Sequence, residues 1–86
     1  YIPAAATSHQ DAMRQWRAAL RSGAYRMLHT IVDAGPEGIV RDRLAEAVQM
    51  ASTGGTFLTY LGDLRRNGLI TERHGVSVAN DILFPS

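Results

Sequence analysis

The stretch from Ser52 to Ile70, STGGTFLTYLGDLRRNGLI, constrains this chain more than any other part of it. Phe57, Leu61, Leu64 and Gly68 recur at helical spacing, so a helix over residues 52–67 turns them together toward a core, with Leu58 and Tyr60 at the flanks. Ser52 or Thr53 is placed to cap its start, with Thr56 in the first turn, and Asn67-Gly68 to stop it, Gly68 as a left-handed C-cap. The opposite side reads Gly55, Thr59, Gly62 and Arg66, with Thr56 and Asp63 along its edge. Glycine inside a helix costs about 1 kcal/mol relative to alanine, so two of them on one side point to a close approach by another molecule.

The neighbouring segments give this helix a context. Arg41 to Val48 carries Leu44, Ala45 and Val48 on one side, which predicts a short helix, although Val40 has no side-chain oxygen with which to cap it. Gln49-Met50-Ala51 is the turn between the two helices. Ile39-Val40, ahead of the short helix, reads as the first strand of a small sheet. After the long helix, Leu69 to Arg73 and Val76 to Ala79 are β-rich runs on either side of His74-Gly75, a hairpin signal. Asn80-Asp81 turns the chain, and Ile82-Leu83-Phe84 is apolar enough to cover the core, against Trp16 or Tyr25. Helix, turn, helix and hairpin in this order predict an α+β winged helix-turn-helix, with three to four helices and a small antiparallel hairpin as the wing.

Upstream, residues 1–8 are Ala-rich, contain Pro3 and lack periodicity, and read as an arm or linker before a domain at 9–86. Met13, Trp16 and Leu20 then mark an amphipathic helix from His9 to Leu20, with Arg14, Arg17 and Arg21 as a second stripe. Ser22-Gly23 offers both an N-cap and a flexible break, and Ala24, Leu28, Ile31 and Val32 define a new face running to Ala34. Two helices are the preferred reading over one long bent helix. Gly35-Pro36-Glu37-Gly38 ends the second.

With 86 residues, the chain has room for one core and buries about 60% of its unfolded surface. Cysteine is absent, which excludes disulfides and thiolate metal sites and fits a reducing cytoplasm. No apolar run is long enough to span a membrane, so no membrane role is expected. The start at Tyr1 instead of Met points to a processed product or a piece of something larger.

The net charge of +1 does not by itself argue for nucleic acid. Its distribution is uneven. Arg14, Arg17, Arg21 and Arg26 against Asp11 give +3 over residues 1–26. Arg41 and Arg43 against Asp33, Glu37, Asp42, Glu46 and Asp63 give −3 over residues 27–64. All nine basic residues are arginine, a type suited to bidentate contact with phosphate or guanine and also favoured by GC-rich coding.

If the 52–67 helix enters a major groove of double-stranded DNA, Thr56, Thr59 and Arg66 face base edges while Gly55 and Gly62 let the backbone approach. Arg65 and Arg66 at the helix end, Arg41 and Arg43 at the preceding helix, and Arg73 with His74 at the wing tip are then candidate phosphate contacts. Asp63 opposes this unless Arg66 pairs with it or it accepts from a cytosine amine. An arginine near a helix C-terminus also favours the helix dipole without any ligand. The competing reading is a protein-contact or homodimer surface built on Gly55, Thr59 and Gly62, for which near-neutral charge is natural. Catalysis is not expected: His29 and Asp33 have dyad spacing but no third partner, His9 reads as a surface residue and His74 as a turn residue, and no metal or cofactor site is indicated.

Four segments carry a family resemblance: Trp16 to Leu20, Gly38 to Ala45, Thr53 to Ile70, and Asp81 to Pro85. Over about residues 16 to 85 the chain resembles the C-terminal winged-helix region of some bacterial HerA-type ATP-binding proteins. Its more specific parts are the Gly54-Gly55-Thr56-Phe57 start and the Leu64-Arg65-Arg66-Asn67-Gly68-Leu69 end of the long helix; the latter is shared with many winged helices. The resemblance implies a small DNA-handling or regulatory appendage of a DNA-translocating motor. Val40 stands where a serine or threonine cap is expected, and no Walker A pattern occurs, so ATP hydrolysis would belong elsewhere in a parent protein.

Overall fold

The computed structural model describes His9 to Phe84. The arm expected at residues 1–8 lies outside the described residues, as do residues 85–86. Four helices run in chain order: α1 (His9–Ala19), α2 (Ser22–Asp33), α3 (Arg41–Ala47) and α4 (Gly55–Arg66). Three short strands, β1 (Ile39–Val40), β2 (Ile70–Arg73) and β3 (Val76–Ala79), are followed by a 3-10 turn at Asp81–Leu83. The strands form an antiparallel sheet in the order β1-β3-β2. This is the α+β arrangement of a winged helix-turn-helix, with the β2-β3 hairpin as wing.

The core lies where the helices meet the sheet. Met27, Leu28 and Ile31 of α2, Leu44 of α3, Phe57, Leu61 and Leu64 of α4, and Leu69 and Leu83 are all essentially inaccessible. Helical periodicity selects Leu28, Ile31, Leu44, Phe57, Leu61 and Leu64 among these; Met27 is an addition, and Leu69 and Leu83 lie outside the α-helices. Two helices precede the loop at Gly35, but the break falls at Leu20-Arg21 and not at Ser22-Gly23. Arg21 holds the cap position without a side-chain bond, and Gly23 lies inside α2. The Tyr60 ring of α4 packs there: a Cβ on Gly23 would sit 2.4 Å from a ring carbon. Gly23 therefore leaves room for the Tyr60 ring in the α2–α4 contact.

The start of α4 also differs from expectation. Neither Ser52 nor Thr53 caps it; Gly54 occupies the cap position with extended backbone and makes no side-chain bond. The Gly54 N–H donates to the Ala51 carbonyl at 2.9 Å, so a tight turn uses residues 51–54 and delays the helix to Gly55. Its end is as expected. Gly68 adopts φ +72°, the Leu69 N–H donates to the Leu64 carbonyl and the Gly68 N–H to the Arg65 carbonyl, a paired closure of the last turn. α3 closes the same way with Gln49 at φ +58° in the glycine position.

His74 and Gly75 have φ of +53° and +77°, both left-handed, as a two-residue hairpin loop that matches strand twist requires. The Gly75 carbonyl accepts from the Arg41 N–H at 2.9 Å, so the wing satisfies the first donor of uncapped α3. Asn80 fastens the wing's base: its side-chain amide donates to the Gly68 carbonyl at 2.9 Å, and its side-chain oxygen accepts from the Thr71 hydroxyl at 2.6 Å.

The end of the described chain is held by a residue expected at the surface. His9 is only partly exposed: its Nδ1 lies 2.6 Å from the Leu83 carbonyl, and its ring stacks on Phe84 with centroids 4.6 Å apart. A carbonyl only accepts, so Nδ1 carries the proton. Of the apolar triplet, Leu83 enters the core, while Ile82 and Phe84 stay about half exposed. The ring stacked on this segment is His9, while Leu83 belongs to the core cluster against which Trp16 and Tyr25 also pack.

Candidate nucleic-acid interface

α4 presents two unlike sides. Phe57, Leu61 and Leu64 are buried, whereas Gly55, Thr56, Leu58, Thr59, Arg65 and Arg66 are exposed and Gly62 and Asp63 partly so. Leu58, Thr59, Gly62, Arg65 and Arg66 line a shallow depression along the outward side. A Cβ built on Gly55 or Gly62 would meet no atom within 4 Å. The fold itself therefore gives no steric reason for either glycine. The outward set read from the helical wheel is brought together on one surface, displaced only by the later helix start.

The arginines divide into two groups. Arg66 pairs with Asp63 one turn earlier on α4, which resolves the conflict expected between that carboxylate and a polyanion. Arg41 donates through a terminal nitrogen to Glu72 Oε1 at 2.9 Å. A terminal nitrogen of Arg65 lies 3.7 Å from the same oxygen. Glu72 thus ties α3, α4 and the wing strand β2 into one ionic node. Arg43 and Arg73 are exposed and have no ion pair among the described residues.

Strand register explains why Glu72 takes this role. Glu72 lies opposite Ser77, in phase with buried Ile70, so its side chain points to the core side of the sheet and is only 12% exposed. A carboxylate so placed needs cations, and the helices supply two. The alternation that turns Glu72 inward turns Arg73 outward, onto the sheet side that also holds Thr71, Val76 and Val78. The structure therefore joins Arg41 to Arg65 through Glu72, sets Arg65 and Arg66 in the same depression as Thr59, and puts Arg73 on the other side of the wing. Sequence reading missed Glu72. Its signal was present in the alternation Ile70-Thr71-Glu72-Arg73, which puts an acid in phase with an apolar core residue.

His29 Nδ1 lies 3.1 Å from Asp33 Oδ2, with both side chains more than half exposed, a surface contact one turn apart on α2. Among the described residues no three His, Asp or Glu side chains group to hold a metal ion, and no helix is long and apolar enough to cross a membrane. No family model, curated protein or solved structure matches this chain.

Proposed function

We propose that this chain is a non-catalytic, cytoplasmic winged-helix module that binds double-stranded DNA, with α4 as the recognition helix. One observation carries the reading: α4 exposes a side whose two glycines serve no internal packing, beside Thr56 and Thr59 and with arginine at its end. On this reading Thr56 and Thr59 meet base edges, and Gly55 and Gly62 admit the groove walls. Arg43 and Arg73, the two candidates with no ion pair among the described residues, hold phosphates, with Arg41, Arg65 and Arg66 contributing through the parts of their guanidiniums that face solvent. The resemblance to the HerA-type C-terminal region fits the same role, an appendage that handles DNA beside a translocating motor.

A second reading has its own support. Leu58 is 42% exposed within the same depression, and three of the arginines are already paired with carboxylates. An exposed leucine between glycines suits a partner helix or a second copy of the chain better than it suits a phosphate backbone.

Fluorescence anisotropy of a labelled mixed-sequence duplex, titrated at low and at physiological salt, separates the two. DNA binding appears as saturable binding that weakens steeply with salt, and replacing Arg43 and Arg73 together by alanine lowers the affinity with the fold intact. Absence of binding at low salt, combined with a dimer by elution volume, would establish the protein-contact reading instead.

A further inference from the structure

We infer that Glu72 sets how many arginines this surface offers to a polyanion, by holding Arg41 and Arg65 in internal ion pairs. The inference rests on the DNA-binding reading and extends it to how affinity is set.

The node is lopsided. Oε1 of Glu72 engages both guanidiniums, at 2.9 and 3.7 Å, while Oε2 is buried with no hydrogen-bond partner. Arg41 Nε is likewise buried and unpartnered. The carboxylate therefore depends on these two cations for its compensation. A phosphate that draws either arginine outward leaves a largely buried anion less well paired, and that loss offsets the new contact. The three groups together present +1 to solvent where two free arginines would present +2. Arg43 and Arg73 carry no such handicap. Glu72 thus takes one unit from the positive charge of this face, and it does so from the core side of the wing.

The experiment uses the whole chain and the same labelled duplex over a salt series. Glu72→Gln keeps the side chain's shape and removes its charge. It raises low-salt affinity by about fivefold and steepens the log-log salt dependence by about 0.9 for each phosphate newly engaged. Glu46→Gln, on the exposed side of α3 with no ion pair among the described residues, is the control for net charge and shifts affinity less than about twofold. Replacing Arg65 by alanine in the Glu72→Gln background removes part of the gain. A Glu72→Gln effect no larger than that of Glu46→Gln, in a protein that binds DNA, overturns the inference alone. Failure of every variant to bind at low salt overturns the DNA reading with it. Should Glu72→Gln melt below the assay temperature, the order of single arginine variants decides: Arg65→Ala costs less affinity than Arg43→Ala if Arg65 is masked, and the reverse order refutes masking.

Discussion

Along α4, Phe57, Leu61 and Leu64 are no more than 1% exposed and belong to the main core, while one half-turn away Gly55 and Gly62 face open space. The inner residues are those a helix against a sheet must have. Of the outer pair, Gly62 lies inside the helix and costs stability without giving any packing in return, while Gly55 is the first residue of α4. A second contrast deepens the first. At Gly23 and Gly38 a Cβ would sit 2.4 Å from the Tyr60 ring and 2.6 Å from the Ser77 carbonyl, respectively. Those two glycines are explained inside the fold. Gly55 and Gly62 are not, so their reason is sought outside it, and this is why the outward side of α4 is the candidate interface.

The inner side gives the largest expected effect. Phe57→Ala removes a fully buried ring that α4 contributes to the core, and is expected to lower stability by about 3–5 kcal/mol, read by thermal or denaturant melts. For a domain this small that is a large share of the total, so partial unfolding at 25 °C is the expected appearance. A loss below about 1 kcal/mol would mean that the inner side does not pack as described, and the contrast between the two sides would collapse.

How much of this was legible in the sequence follows from the range of each interaction. The four helices, the wing and the two sides of α4 were readable because helical and strand periods and the His74-Gly75 turn are local signals. The start of α4 was misread because Ser52 and Thr53 have the chemistry of a cap, while the decisive fact is the turn from Ala51 to Gly54. Gly23 was misread as a break because its partner, Tyr60, lies in another helix far along the chain. Glu72 escaped notice for the same reason: its pairs with Arg41 and Arg65 form only once α3, α4 and β2 are assembled. His9 and Leu83 meet from opposite ends of the described chain, and no local pattern announces such a contact.

That last contact tests a region remote from α4. His9→Ala removes the bond to the Leu83 carbonyl and the stack on Phe84 while leaving α4 untouched. The expected loss is about 1–2 kcal/mol, with faster hydrogen exchange confined first to the Asp81–Leu83 turn and the start of α1. DNA affinity, measured below the melting transition, is expected to stay the same. A matching loss of affinity would show that the binding surface extends to the chain's end and that the outward side of α4 is not self-sufficient.

The smallest change in stability carries the sharpest test of the contrast. Gly62→Ala adds one methyl to the outward side of a helix interior, where nothing lies within 4 Å. With no neighbour to displace, alanine is expected to stabilise the fold by about 1 kcal/mol. In a domain of this size that raises the melting temperature by about 4–8 °C. If the same methyl also weakens duplex binding, stability and binding move in opposite directions at one position, which a merely structural glycine cannot produce. A gain in stability with unchanged binding would place the contact elsewhere on the module. A loss of stability would be more damaging: it would mean that Gly62 has an internal reason, and that the two sides of α4 obey the same rule after all.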